Sequence, residues 1–518
     1  MANSGFAVEA DMMSPVMGTE RRRRAAGVVV TFLVGAGMLA GQPVAEGRAG
    51  VVMVQEAPQA RERQRPNIIL ISTDDMTASD LRWMPKTRKL LGRAGVTFPN
   101  ALSPHPLCCP ARGAILTGQY AQNNGVKSNQ GRFAFRALRT HRTLPVWLDR
   151  AGYRTAFTGK YLNGFGTHGR SQPGWDWFDP TIIGQYNYEL YQMYRNGQPR
   201  YYNGLNNVDY VNNEAVRLVH KWAPDRRPFF IWASHVGPHG RLDPANGIRS
   251  TAEPRPPTRY RHKFKHTKPP SMRSRAFNER DISDKTRWLQ RKRPEPLAVG
   301  HIKRVFRARI QTLQGVDQGV ARIMKALRRT GESDNTYVVF TSDNGFLLGE
   351  HRLLTKNLPY WPSIRVPLLV RGPGVPHGKQ RNGLATLIDL APTIADLAGA
   401  RPNLKVDGAS LMPTIRRNRP LRGTVLIQAG PQQPEDRRHG WWWRGVTTGR
   451  YTYAYYLAER FEELYDRRLD PAETRNLADD PRYERTLSAL RQRTRALVSC
   501  AGRASCSRRY PSVPGPLL

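Results

Sequence analysis

The chain has 518 residues, which is enough for one large α/β domain and a smaller one, and its hydrophobic content of 39% can support a sizeable core. Its formal net charge of +40 favours a polyanionic partner such as a sulfated polysaccharide, nucleic acid or an anionic cell envelope. Arginine is spread along the whole sequence, so general over-use of this residue explains the charge equally well. Charge alone therefore excludes none of these partners.

Residues 1–50 indicate a targeting segment rather than part of the fold. A run of arginines, Arg21–Arg24, precedes the apolar stretch Ala25–Ala40, and small residues follow. The apolar stretch is short for a membrane span, which needs about 20 residues. We expect a signal peptide on a secreted or cell-envelope protein, with an uncleaved anchor as the alternative. Residues 51–65 indicate a charged linker.

Two apolar runs, Pro66–Thr73 and Asn335–Ser342, predict buried parallel strands. Open α/β sheets place their sites at the carboxyl ends of such strands. Oxygen-bearing side chains follow both runs: Asp74, Asp75, Asp343 and Asn344. These hard ligands suit Ca²⁺ or Mg²⁺ better than Zn²⁺, although adjacent acids at a strand end can also be an ordinary helix N-cap.

The segment Leu107–Gly118 combines a thiol, a helix start and a cation. Pro110 suits the first turn of a helix, which places Cys108 at or just before the helix N-terminus. Anions are favoured there, and Arg112 can reach back toward the same point. The alternative is that Cys108 and Cys109 are two buried structural cysteines.

Two further strands are predicted to end in candidate site residues. Tyr153–Lys160 indicates a strand that runs into a turn, and Pro228–Ser234 indicates an apolar strand followed by His235 and His239. A lysine in such a place is usually solvated, and a histidine at a strand end is often structural.

Residues 245–300 are rich in proline and strongly basic, and we expect a surface insertion near the site. Tyr260, Phe264 and Trp288 interleave with the charge, which fits contact with a sugar polymer or nucleic acid. A solvated, partly disordered loop is the alternative. His301–Arg329 then shows the periodicity of a helix.

The pattern changes near residue 420, which predicts a main domain over 66–420 and a C-terminal subdomain over 421–499. The subdomain is expected to contain antiparallel strands and a final helix over Glu484–Val498. In an exported protein the tail 500–518 can hold a Cys500–Cys506 disulfide.

The segment Cys108–Arg112, with Leu116–Gly118 after it, resembles the signature Cys-x-Pro-x-Arg…Thr-Gly of type I sulfatases. Thr341–Gly374 resembles their second signature, and Gly159–Asn163 resembles a segment whose lysine contacts the sulfate. The Cys-Cys pair is familiar in the branch of N-acetylglucosamine-6-sulfatases and heparan endosulfatases. The resemblance implies an alkaline-phosphatase-like α/β fold, with a mostly parallel central sheet flanked by helices and a smaller antiparallel C-terminal subdomain with a helix.

The resemblance also implies the roles of individual residues. Cys108 would be oxidised to formylglycine by a formylglycine-generating enzyme, and its gem-diol would be the nucleophile. The implied cofactor is Ca²⁺, with Mg²⁺ as the alternative, and its ligands would be Asp74, Asp75, modified Cys108, Asp343 and Asn344. The implied catalytic residues are Cys108, Arg112, Lys160, His239, Lys356 and His351. The implied substrate-binding residues are Lys160, Asn163, His239 and Lys356. Many sulfatases have a histidine where this chain has Leu162, so Asn163 is considered as its substitute.

The reaction implied by the resemblance is hydrolysis of an organic sulfate ester, most simply of a sugar or glycosaminoglycan-like substrate. No specific nucleic acid partner is expected, although anionic surfaces could attract the chain. One alternative is a phosphodiesterase or phosphonate monoester hydrolase that uses the same site. The other is a noncatalytic polyanion-binding protein of the cell envelope.

Overall fold

A computed structural model describes residues 65–166, 171–243, 247–248 and 251–517. The expected targeting segment and all but the last residue of the expected linker lie outside the described residues. Within the described part of the chain, no helix is both long enough and apolar enough to cross a membrane.

The strands are short to medium in length and occur throughout the described chain. They are β1 (Asn67–Thr73), β2 (Val96–Thr97), β3 (Ala101–Leu102), β4 (Arg154–Lys160), β5 (Trp177–Ile183), β6 (Leu190–Arg195), β7 (Gln198–Asn203), β8 (Phe229–Ser234), β9 (Leu242–Asp243), β10 (Gly247–Ile248), β11 (Thr336–Ser342), β12 (Leu368–Arg371), β13 (Lys379–Gln380), β14 (Ala385–Thr386), β15 (Thr424–Ala429), β16 (Trp443–Thr448), β17 (Tyr451–Tyr456) and β18 (Phe461–Asp466).

The helices lie between groups of these strands and after the last of them. They are α1 (Pro85–Thr87), α2 (Cys108–Thr117), α3 (Ala121–Asn124), α4 (Leu144–Arg150), α5 (Asn207–Trp222), α6 (Arg287–Lys292), α7 (Val299–Arg329), α8 (Trp361–Ile364), α9 (Leu390–Ala398), α10 (Met412–Arg417), α11 (Glu484–Val498) and α12 (Arg503–Cys506).

The large sheet has the strand order β13-β2-β12-β11-β1-β8-β4-β5-β6-β7. All neighbours from β11 to β5 are parallel, whereas β12 and β6 join antiparallel on either side. Along β1, Ile68 and Leu70 enter the apolar core on one face, and Ile69 and Ile71 enter the core on the other. Helices α2, α4 and α9 contribute to the first core, and α5 and α7 contribute to the second. The predicted mostly parallel sheet between helices is confirmed.

The C-terminal strands form a separate antiparallel sheet, β15-β16-β17-β18, against which α11 packs. This confirms the predicted smaller sheet and helix. Cys500 and Cys506 are joined by a disulfide bond. The placement of the domain boundaries at 66, 420 and 499 stays a prediction.

The basic segment after residue 250 differs from a solvated loop, because part of it packs into the protein. Ile282 and Leu289 are buried, and Leu289 lies on the short helix α6. Phe264 packs edge-on against Trp83 with ring centroids 5.4 Å apart, and Trp288 packs similarly against Trp442 at 4.9 Å. Two of the three aromatic residues expected to contact a polymer therefore also pack against the fold, and the contact with a polymer stays a prediction.

Candidate active site

Four adjacent strands, β11, β1, β8 and β4, end at one edge of the large sheet. Gly159 allows β4 and β8 to approach closely, because its φ is +105° and a Cβ there would lie 2.0 Å from the Ser234 carbonyl oxygen. The candidate residues that this edge brings together, called here the strand-end cluster, are Asp74, Asp75, Cys108, Arg112, Lys160, His239, Asp343, Asn344 and Lys356.

Cys108 is the first residue of α2, as its sequence predicts, and Leu107 before it is extended. Its buried Sγ lies 3.4 Å from Oδ1 of Asp74, and Nζ of Lys356 donates to it at 2.9 Å. Burial, followed by the charge of Asp74, raises the pKa of the Cys108 thiol to about 11. The unmodified thiol is therefore a poor nucleophile at neutral pH, because the thiolate is the reactive form.

Arg112, one turn into α2, ties the strand ends together. Its Nε and Nη2 lie 3.0 and 2.9 Å from Oδ2 of Asp343, and Nη2 lies 3.5 Å from Oδ2 of Asp74. Its Nη1 donates to Oγ of Ser234 at 2.6 Å. Ser234 ends β8 and gave no chemical signal in the sequence, so its role in holding Arg112 could only be found from the fold.

Two lysines complete the charge balance of the cluster. Lys160 pairs with Asp74, and Lys356 pairs with Asp75. Burial alone would raise the pKa of Asp74, but the nearby cations, Lys160 foremost, bring that pKa well below its ordinary value. Both lysines have a pKa above the ordinary value because the neighbouring carboxylates outweigh burial. The cluster thus keeps Lys160, Lys356 and Asp74 in their charged forms although all three are buried.

His239 turns its two ring nitrogens toward different partners. Nδ1 lies 2.7 Å from the Gly240 carbonyl oxygen, and Nε2 lies 3.6 Å from Oδ2 of Asp75. Burial lowers the pKa of His239 to about 4. His235 is also buried, but no contact described for it reaches the strand-end cluster.

Tyr186 joins several of these groups and was missed by the sequence analysis. Its ring stacks on His239 with centroids 4.3 Å apart, and Nζ of Lys160 lies 4.7 Å from the ring centre. Its hydroxyl accepts a hydrogen bond from Nδ2 of Asn163 at 2.9 Å. Asn163 therefore reaches the cluster through Tyr186, and nothing in the sequence around Tyr186 marks this role.

His351 has other contacts. Its Nδ1 lies 2.5 Å from Oε2 of Glu279, and its ring lies against Tyr360 with centroids 4.1 Å apart. Among the described residues, none of its hydrogen bonds or ion pairs reaches the strand-end cluster. The expected contribution of His351 to catalysis or substrate contact stays a prediction.

The donor atoms of the cluster fit a divalent metal ion. Ligand atoms of Asp74, Asp75, Cys108 and His239 all lie within 4.8 Å of one another. Oδ2 of Asp75 and Oδ1 of Asn344 are buried without a hydrogen-bond partner among the described residues, a costly state that a cation would relieve. Asp75 is also held at a φ of +67°, which is strained for a residue with a side chain. Asp343 is already engaged within the protein, because its oxygens accept from two backbone N–H groups and from Arg112.

Comparison with known proteins identifies the family. A model of the sulfatase family matches residues 66–400, and a model of the N-sulphoglucosamine sulphohydrolase C-terminal region matches residues 349–499. The chain belongs to the sulfatase family. It is 33% identical to human N-acetylglucosamine-6-sulfatase over 389 residues, which cover 70% of this chain and 67% of that protein.

Two further proteins show how far the likeness extends. The chain is 35% identical to a Drosophila melanogaster extracellular sulfatase SULF-1 homolog over 387 residues, which cover 71% of this chain and only 33% of the fly protein. A solved structure described as a complex with its substrate D-glucosamine-2-N,6-O-disulfate shares the fold, with a TM-score of 0.68 and 23% identity over 83% of this chain and 96% of that chain. The chain thus spans about two thirds of the length of the human relative and one third of the length of the fly relative.

Proposed function

We propose that this protein is a secreted sulfatase that hydrolyses sulfate esters of amino sugars or glycosaminoglycan-like chains. The observation that carries the proposal is the buried arrangement of Cys108, Lys356 and Asp74 at the start of α2, in a chain of the sulfatase family. The names of the relatives support a sulfated glucosamine as the substrate. Secretion is supported by the apolar segment after Arg21–Arg24 and by the extracellular relative.

Formylglycine derived from Cys108 would supply a hydrated aldehyde whose hydroxyl attacks sulfur in the sulfate ester. An unmodified serine or cysteine could be sulfated, but it has no second hydroxyl with which to expel the sulfate. The raised pKa of the Cys108 thiol agrees with a need for modification, since the unmodified thiol would stay protonated.

Asp74, Asp75 and Asn344 would hold Ca²⁺ or Mg²⁺ together with the modified residue, and Asp343 would complete the site. The metal would supply a positive charge near the nucleophile and the sulfate oxygens. Lys160 and Lys356 would bind the remaining sulfate oxygens, since both are cations held in a buried site. Lys356 or His239 would protonate the departing sugar oxygen.

A substrate panel tests the proposal directly. Protein made with a formylglycine-generating enzyme is expected to release sulfate from N-acetylglucosamine 6-sulfate and from heparan fragments. An aryl phosphate diester and an aryl phosphonate are the controls, because the same metal and cations could accept either tetrahedral group. Faster turnover of the phosphorus esters would favour the phosphodiesterase alternative. Turnover of aryl sulfates alone would contradict the sugar assignment, and absence of any turnover would favour a noncatalytic binding protein.

A further inference from the structure

The C-terminal subdomain contains a second concave site, called here the C-terminal cavity. It is lined by β16, β17, β18, the turns beside them and α11, and its volume is about 530 Å³. None of its lining residues belongs to the strand-end cluster. Pockets for small ligands usually measure about 300–1,000 Å³, so this one can hold a sugar unit.

Arg444 is the clearest sign of an anionic ligand in this cavity. It is partly buried, and its guanidinium donates to Oε1 of Gln428 at 3.0 Å and to the Val498 carbonyl oxygen at 2.9 Å. Both acceptors are neutral, and no ion pair of Arg444 exists among the described residues. Burial lowers the pKa of Arg444 to about 10. The Trp441 ring, whose centre lies 4.3 Å from the guanidinium carbon, offsets part of the cost of burying this cation, and an anion bound in the cavity would offset more of it.

The other charges of the cavity do not neutralise Arg444. Glu462 is already engaged by Arg491 at 2.9 Å and by the Tyr453 hydroxyl at 2.5 Å. Arg460 and Arg495 are exposed, and the described part of the chain gives neither an ion pair. Four arginines thus line one concavity, and Glu462 is the single carboxylate among its lining residues.

The shape and lining favour a sulfated sugar over a nucleic acid. Guanidinium groups match the paired oxygens of sulfate and carboxylate, and Tyr455 offers a partly exposed aromatic ring beside them. A nucleic acid would require an extended basic groove that follows its backbone, whereas these cations surround a single pocket.

We propose that the C-terminal cavity binds a sulfated sugar unit of an anionic polysaccharide, with the sulfate on Arg444 and the exposed arginines Arg460 and Arg495. The proposal rests on the proposed function for its ligand class, and it adds a binding site separate from the reacting groups. A polymer could then be held through the cavity as well as through the strand-end cluster.

The test is isothermal titration of the full chain with an N- and O-sulfated heparin hexasaccharide at 0.15 M salt. Cys108→Ala is the background, so that no turnover occurs during the titration. Arg460→Ala/Arg495→Ala is expected to weaken binding about tenfold, from the loss of charge-assisted hydrogen bonds. The matched control is Arg328→Ala/Arg329→Ala, which removes two exposed arginines at the end of α7. This control is expected to change the affinity less than twofold.

Three outcomes would overturn the proposal: equal weakening in both pairs of variants, no binding by the parent, or equally tight binding of a DNA duplex that depends on the same two arginines. Thermal unfolding of each variant shows whether it is folded. Sulfate release from N-acetylglucosamine 6-sulfate is measured separately in protein with intact Cys108. Its absence in the parent would contradict the proposed function. Arg328→Ala/Arg329→Ala, which alters neither site, is expected to keep this activity.

Discussion

Asp74 in the strand-end cluster and Glu463 in the C-terminal sheet are both fully buried, yet their environments favour opposite protonation states. The cations around Asp74, Lys160 foremost, outweigh burial and bring its pKa well below the ordinary value. Around Glu463 the effect of burial is larger than that of the Lys285 charge, so the pKa of Glu463 is raised to about 8. The hydroxyls of Tyr360 and Tyr456 donate to Glu463 at 3.2 and 3.4 Å.

The opposite pKa shifts of Asp74 and Glu463 distinguish the strand-end cluster, where we expect chemistry, from a buried region of the C-terminal sheet that stabilises the fold. A buried carboxyl that is neutral can stabilise a fold, because its hydrogen-bond partners offset the free energy of removing it from water. A buried carboxylate kept charged by several cations is typical of a site built for chemistry. The experiments below test this distinction by substitutions at the two regions and by removal of the metal.

The largest effect is expected from the two adjacent cysteines. Cys108→Ala removes the precursor of the nucleophile and should lower kcat for sulfate release by about 10⁴-fold. Cys109→Ala is the matched control, because its Sγ lies 3.8 Å from the Asn163 carbonyl oxygen and its thiol is equally buried. It should keep kcat within about tenfold of the parent. Equal losses in both variants would contradict a special role for Cys108.

A comparable loss should follow removal of the metal. Dialysis against a chelator should abolish sulfate release, and added Ca²⁺ should restore it. The same addition should raise Tm by a few degrees, because a ligand at about 100 times its Kd stabilises by about 2.7 kcal/mol. The Asp75→Asn variant is expected to lose most of this Tm response. An unchanged Tm and undiminished activity after chelation would argue against a metal site.

Matched lysine substitutions test the charge balance of the two regions. Lys160→Met should reduce kcat by about 10²–10³-fold, because a cation that stabilises developing charge is removed. Lys285→Met should leave kcat nearly unchanged and lower Tm, because Lys285 is buried beside Glu279 and the Thr474 carbonyl oxygen. Steady-state kinetics and thermal unfolding distinguish the two responses. A loss of kcat in Lys285→Met as large as that in Lys160→Met would contradict the distinction between the strand-end cluster and the buried region around Glu463.

A smaller effect is expected at Tyr186. Tyr186→Ala removes the ring that stacks on His239 and should lower kcat/KM about tenfold. Tyr186→Phe keeps the ring and loses only the hydrogen bond from Asn163, so it should cost about threefold or less. If Tyr186→Phe is as impaired as Tyr186→Ala, the hydroxyl and not the ring is the important feature.

The smallest effect on activity is expected at Glu463. Because its folded-state pKa is raised to about 8, this carboxyl contributes stability that is complete below its unfolded pKa and is lost as the pH rises through about 8. Glu463→Gln should therefore flatten the fall of Tm between about pH 4.5 and pH 8 and leave kcat nearly unchanged. Parallel Tm profiles for the variant and the parent would show that Glu463 does not titrate in this range.

The sequence predicted those features that lie within one continuous segment. The apolar runs that precede Asp74 and Asp343 predicted two parallel strands, and Pro110 predicted the start of α2. Tyr186 and Ser234 could not be found in this way, because their roles arise only where distant segments meet. The contact between His351 and Glu279 was hidden for the same reason, since 72 residues separate the two.

The most direct test of the central claim is tandem mass spectrometry of the tryptic peptide Ala94–Arg112 from protein produced with a formylglycine-generating enzyme. Conversion of Cys108 to formylglycine would lower the mass by about 18 Da relative to two free thiols. We predict that this loss maps to Cys108 and that Cys109 is unmodified. If both cysteines remain thiols under these conditions, the protein lacks its proposed nucleophile and the account of its chemistry is contradicted.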